Sequence, residues 1–384
     1  MSGWEADVAV LGVGETPFGP SDGESSLQLH ARAALLAAED AGIPLREIDG
    51  LLTAGSRTDG FLMHSAAVAE YLGLQPKISA SLSLGGANHC ASVLYAAAAI
   101  RAGLASNVLV VAADNLVSSA STIGAAERLT RTGAGDPDFE IPHGATLPAL
   151  YALAAQRHMY EYGTTSEQLA AVAVAMRRHA STNPQAHMRD QISVEDVLSS
   201  RMISEPLHLL DCCPISNGGG ALIVGRADGA RSPVHVIGGG SATVGEHVSQ
   251  LPNLTSTGAR QSAVAAYASA GIGAKEIDAA FLYDSFTIAV LVQLEDLGFC
   301  GVGESGAFVE DGNLASDGTL PTNTHGGLLS HGHPGRAGGI VHLVEAVRQL
   351  RGEIDRNPVD GARVALVHGM GGVFGTHATV ILAR

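Results

Sequence analysis

At 384 residues the chain is long enough for two domains of ordinary size. Hydrophobic residues make up 46% and charged residues only 16%, with few aromatics and many glycines, so close-packed helices and buried strands are expected. The net charge of −16 argues against a nucleic-acid partner, which needs a basic face, and any anionic cofactor must therefore meet a local basic patch.

The first residues lack the basic region and apolar core of a signal peptide, and no run reaches the roughly 18 apolar residues of a membrane span. The last residues, Ile381 to Arg384, are not a peroxisomal address. The first predicted strand is Val8-Ala-Val-Leu-Gly-Val-Gly14. An Ala-rich helix runs up to Ala41-Gly-Ile, and a second strand follows Glu47-Ile-Asp49. The stretch Leu84-Gly-Gly-Ala-Asn-His-Cys90 leads to another Ala-rich helix ending at Gly103, and Val108-Leu-Val-Val-Ala-Ala is the next strand.

A long insertion spans about 116–205. It holds Pro142-His-Gly-Ala145, an amphipathic segment from Leu147 to Tyr162, and a helix from Ser166 to Ala180 with Thr164 or Ser166 as its N-cap. Insertions of this length usually cover a site. The opening pattern then returns. Val234-His-Val-Ile-Gly-Gly-Gly240 matches the first strand 226 residues later, and Ala270-Gly-Ile followed by Glu276-Ile-Asp278 matches Ala41-Gly-Ile and its strand. Apolar strands alternating with helices predict buried sheets covered on both faces. The repeat divides the chain into halves at 1–230 and 231–384.

Four cysteines, Cys90, Cys212, Cys213 and Cys300, have neither disulfide-framework nor CxxC spacing, so a reducing cytoplasm is the expected compartment. Cys212 and Cys213, ahead of Pro214, are expected in the core. His331 and His333 are two residues apart, but spacing places no third ligand, so no metal is expected. The segment Gly326-Gly-Leu-Leu-Ser-His-Gly-His-Pro-Gly-Arg-Ala-Gly-Gly339 runs from a glycine turn towards a helix ending at Gln349-Leu-Arg-Gly352. His333 should stand just ahead of that helix, with Pro334 at its first position. A strand and glycine loop, Val364-Ala-Leu-Val-His-Gly-Met-Gly-Gly372, close the chain.

The Gly-His-Pro segment, its helix end and the final glycine loop resemble the C-terminal signature of thiolases. The likeness is strongest to the sterol-carrier-protein type and its bacterial lipid-transfer homologues, and covers nearly the whole chain. It implies an α/β thiolase fold: duplicated βαβαβ halves in five layers (αβαβα), with the insertion over the active site. It also implies an acyl-CoA substrate, no tightly bound cofactor, and a homodimer. The family's nucleophile is a cysteine at the start of a buried helix, where dipole and free N–H groups favour the thiolate. Here that position falls at Gly86, and Cys90 lies about one turn later. The family's second cysteine falls at or near His368, and its polar motif in the second half is replaced by Tyr283-Asp-Ser-Phe286.

Three readings follow from the resemblance. In the favoured one, Cys90 is a displaced nucleophile, His333 the base, and His143 or His368 moves the second proton, with Tyr283 nearby, in Claisen-type acyl transfer. In the second, Tyr283 and His333 act as acid and base in retro-aldol cleavage of a β-hydroxyacyl-CoA, alongside a small OB-fold, zinc-ribbon partner. In the third, the chain binds acyl-CoA or lipid without catalysis. Arg177 and Arg178, or Arg128 and Arg131, are the local cations for coenzyme A, and Gly327 and Ser330 are further candidate contacts.

Overall fold

The computed structural model describes residues 7–20, 23–117 and 135–384. The first half contributes β1 (Val8–Glu15), α1 (Ser26–Ala41), β2 (Gly50–Ala54), α2 (His64–Tyr71), β3 (Ile78–Leu82), α3 (Asn88–Arg101) and β4 (Asn107–Asn115). The insertion contributes α4 (Leu147–Tyr162), α5 (Ser166–Ser181), α6 (Val194–Ser199) and a small hairpin of β5 (Met202–Ser204) and β6 (Leu207–His208). After it come β7 (Asn217–Arg226), β8 (Val234–Thr243), α7 (Ala259–Ala270), β9 (Ala279–Leu282), α8 (Thr287–Asp296), α9 (Ser305–Glu310), α10 (Ile340–Arg351), β10 (Val364–Gly371) and β11 (Thr376–Ala383).

Strand order is β3-β2-β4-β7-β1 in one half and β8-β11-β10-β9 in the other. The halves meet through a short antiparallel contact, Ala9 with His235 and Val10 with Val234. The second half repeats the first with its outer strand reduced to one bridge, between Ala280 and Thr322. Helices α3 and α10 each touch strands of both halves and form the middle layer, while α1 and α7 cover the outer faces. This gives the five layers that the resemblance to thiolases implies.

The repeated glycines have a steric cause. A Cβ on Gly12 or Gly14 of β1 would lie 2.4 Å from the Ala37 carbonyl or 2.6 Å from that of Ala33, both on α1. On β8, Gly238 and Gly240 stand in the same relation to Ala266 and Ser262 of α7, at 2.7 and 2.2 Å. In both halves the outer helix therefore rests on bare strand backbone, which only glycine permits.

Two local expectations need correction. The N-cap of α5 is Thr165, in a capping box with Gln168, while the Thr164 hydroxyl turns inward to His158 Nδ1 at 2.7 Å. Pro334 does not open a long helix. Gly327–His331 forms a wide turn, Gly335–Ala337 a single tight turn, and α10 starts only at Ile340. Gly332 and Gly335 carry positive φ here, which breaks the helical run ahead of α10.

Candidate active site

Tyr283 follows directly on β9, and its N–H donates to the His368 carbonyl of β10 at 3.1 Å. The next residue, Asp284, is fully buried and accepts from the N–H groups of Leu328 and Leu329, which fixes the turn leading to His333. Ser216 grips the His333 backbone on both sides: its N–H donates to the His333 carbonyl at 3.2 Å, and its Oγ accepts from the His333 N–H at 3.3 Å. So held, His333 Nε2 meets the Tyr283 hydroxyl at 2.8 Å.

Glycines make room for the pair. A Cβ on Gly338 would touch the His333 ring at 3.2 Å, and one on Gly339 the Tyr283 ring at 3.4 Å. Gly86 is tighter still, because a Cβ there would sit 2.1 Å from Tyr283 Cε2 and 2.3 Å from the Met370 carbonyl. The phenol ring thus fills the space that a side chain at position 86 would need.

Burial shifts both members towards their neutral forms. His333 is lowered to about 4, chiefly by desolvation, with nearby Arg57 and His342 adding to it. Tyr283 is pushed well above the usual phenol range, first by burial and then by Cys213, Tyr151 and Asp284. At neutral pH a phenol therefore donates to a neutral imidazole.

His30, His89, His179 and His377 are likewise lowered to about 4, with burial the largest cause. These histidines stay neutral in the fold while the unfolded chain takes up protons near pH 6.5. Their stabilisation is complete above that pH and is lost as pH falls from about 6.5 to about 4. The urea midpoint is expected to hold between pH 8 and 7 and to drop steeply between 6.5 and 4.5. A flat midpoint down to pH 4.5 would contradict the buried neutral assignments.

The other sequence candidates fall elsewhere. Cys90 is buried on α3, its thiol pushed up to about 12 by burial, and it donates to the Val367 carbonyl at 3.7 Å rather than to a histidine. His368 is buried too, but its ring faces away from Tyr283. Nδ1 pairs with Thr379 Oγ1 at 2.8 Å, whose hydroxyl meets Ser262 of outer helix α7, and Nε2 pairs with His377 at 3.1 Å. His143 is exposed in a short turn.

Arg177 is not a surface cation. It is buried, and its guanidinium donates to Ser330 Oγ at 2.9 Å and to the Asp190 carbonyl at 3.1 Å, so both Arg177 and Ser330 are committed to holding the turn. Gly327 lies against Asp284, where a Cβ would meet Oδ2 at 1.9 Å. Arg178 is exposed at the end of α5, and Arg128 and Arg131 lie outside the described residues. Cys212 and Cys213, expected in the core, are partly buried and pack against it, and Cys213 bears electrostatically on Tyr283 and Tyr151.

Three residues near the pair were missed. Tyr151 of α4 donates to the Gly372 carbonyl at 2.9 Å and stacks on Phe286 with centroids 4.3 Å apart, so the insertion reaches the closing glycine loop. Ser216 carries no motif that marks it as the clamp on His333. Arg57 sits on the loop after β2, and a lone arginine in a loop gives no signal.

A five-layered duplicated fold, with catalytic-type side chains where the second-half polar motif meets Gly-His-Pro, defines a thiolase-fold protein. The family model for a thiolase C-terminal domain-like region matches residues 218–384. The chain is 36% identical to an acetyl-CoA acetyltransferase of Methanothermobacter thermautotrophicus, over 98% of this chain and 100% of that one. It is 38% identical to a steroid side-chain-cleaving aldolase of Thermomonospora curvata, over 97% of each. Among solved structures, an Ltp2-ChsH2(DUF35) aldolase superposes with a TM-score of 0.86 at 35% identity, covering 99% of this chain and 98% of that one. The chain belongs to the thiolase superfamily, in its sterol-carrier-protein-type branch.

Proposed function

We propose that this enzyme cleaves β-hydroxyacyl-CoA thioesters by a retro-aldol reaction, with Tyr283 and His333 as its acid–base pair. Carbon–carbon bond chemistry on CoA thioesters comes with the family, whose relatives include both acetyltransferases and side-chain-cleaving aldolases. One observation favours the lyase within that chemistry: the Tyr283 ring, bonded to His333 at 2.8 Å, fills the space beside Gly86.

The proton path is short. The Tyr283 oxygen takes the proton of the substrate's β-hydroxyl as its own proton passes to His333 Nε2. The bond between the α- and β-carbons breaks, the β-carbon becomes a carbonyl, and the electron pair stays on the α-carbon as a thioester enolate. The same proton returns to the α-carbon, so the products are a ketone or aldehyde and a shortened acyl-CoA, with no redox change. A neutral imidazole is the form that can accept, which fits the lowered basicity of His333.

The test incubates the full chain with a β-hydroxyacyl-CoA and follows both products by mass spectrometry. Matched carbonyl and acyl-CoA products support the reading. A cysteine acyl adduct on the intact protein, mapped to Cys90 or Cys213, would instead establish acyl transfer. Cys90→Ala is expected to keep turnover within about 3-fold and to cost about 1–2 kcal/mol of stability, as a small core truncation. A loss of turnover in the still-folded variant would return Cys90 to the mechanism.

The assembly belongs to the same reading. An aldolase relative is solved with a DUF35 protein, which supports a small partner of that kind here. Strand β3 ends its half-sheet with alternate residues exposed, and Leu62 and Met63, just ahead of α2, are open to solvent, which supports pairing of two copies along that edge. Four free cysteines agree with a reducing cytoplasm.

A further inference from the structure

Two arginines lie on loops close to the Tyr283–His333 pair, Arg57 exposed and Arg336 half-buried. The loop after β2 carries Arg57, and the turn after His333 carries Arg336. The two loops interlock: a Cβ on Gly335 would lie 3.5 Å from Arg57 Cγ, and a Cβ on Gly55 would lie 2.7 Å from Arg336 Nη1. Backbone contacts fix both positions. The Arg57 N–H donates to Asp114 Oδ2 at 2.7 Å, and the Arg336 carbonyl is bonded to His89 Nε2 at 2.9 Å.

Neither guanidinium has a hydrogen-bonded or ion-paired acid among the described residues. The carboxylate that bears on Arg57, Asp114, already takes the hydroxyls of Ser56 and Thr58 and the N–H groups of Arg57 and Asn115. The two cations act on each other unfavourably, and Arg57 also bears on Tyr283 and His333. Two like charges held together beside a reaction centre are stabilised when an anion bridges them.

We infer that Arg57 and Arg336 bind a carboxylate carried by the acyl group on the β-carbon side of the bond that breaks. Coenzyme A supplies no such anion here, because its whole pantetheine arm separates the nearest phosphate from the thioester. The substrate class is thus a β-hydroxyacyl-CoA with an acidic substituent near its β-carbon, and the released carbonyl compound is an oxo acid. This rests on the retro-aldol reading for its orientation.

The test compares two thioesters that differ only in that group, a carboxylate against its methyl ester. Turnover of the carboxylate by the full chain is expected to exceed that of the ester by about 100-fold in kcat/KM. Arg57→Met and Arg336→Met should each remove most of that preference, read as the ratio of carboxylate to ester turnover, because losing Arg57 also acts on His333 and so moves both rates together. Binding is measured in parallel by calorimetry on Tyr283→Phe, where a carboxylate preference should appear without any cleavage. If the wild type cleaves neither compound, the reaction assignment fails while the binding comparison still decides this one. Equal affinity for both ligands overturns it. So does an equal loss for both in the arginine variants, which would assign the arginines to coenzyme A itself.

Discussion

Tyr283→Phe is expected to lower kcat for β-hydroxyacyl-CoA cleavage by about 1,000-fold, within the range for loss of a positioned acid–base group. KM should change little, because the phenyl ring keeps its packing against Gly86 and Gly339. Stability should move by no more than about 1 kcal/mol, since one hydrogen bond to His333 is lost and the ring stays buried. His333→Gln tests the other end of the same path and should be equally damaging. The double variant should be little worse than either single one, because two groups passing one proton act as a unit. Rates measured at saturating substrate, with a denaturation curve for each variant, separate this from a structural defect. A Tyr283→Phe enzyme that keeps a tenth of its activity or more would remove the phenol from the chemistry.

The duplicated fold was legible because its cause is local. Gly12 and Gly14 in β1 and Gly238 and Gly240 in β8 repeat for one reason, the close rest of a helix on a strand. His333 was legible because Gly-His-Pro is a contiguous signature. The partner of His333 was harder to fix, since Tyr283 lies 50 residues away and only the folded chain brings the two together. The reason for a glycine at position 86 was hidden for the same cause: its neighbour is a ring from the other half. Cys90 drew attention by residue type and by its offset of one turn, but a turn further along the buried helix its thiol lies against the Val367 carbonyl and away from His333. Arg177 looked like a surface cation until its burial and its bond to Ser330 were known. His368 fell at the family position yet points its ring to the outer helix, because neighbouring strand residues face opposite sides.

Gly86→Ala carries the second large effect. The new methyl group would lie 2.1 Å from Tyr283 Cε2 and 2.3 Å from the Met370 carbonyl, and neither is the free end of a flexible chain. The ring is pinned by its bond to His333, and the carbonyl belongs to β10. Overpacking of this kind costs about 1–3 kcal/mol and sometimes more, and the upper end is expected here. A displacement of Tyr283 by about 1 Å should also cost on the order of 100-fold in turnover. Adding Tyr283→Ala to Gly86→Ala should restore part of the lost stability, although Tyr283→Ala alone opens a cavity and destabilises. That opposite sign is the mark of two residues competing for one space. The restoration stays partial because the Met370 carbonyl remains in place. Gly86→Cys meets the same obstacle, so returning a cysteine to the family position should yield a destabilised protein with no acyl adduct. Urea midpoints for the two single variants and the double variant decide the matter. Strictly additive losses would show that Tyr283 does not occupy the space beside Gly86, and the main argument for a lyase would go with it.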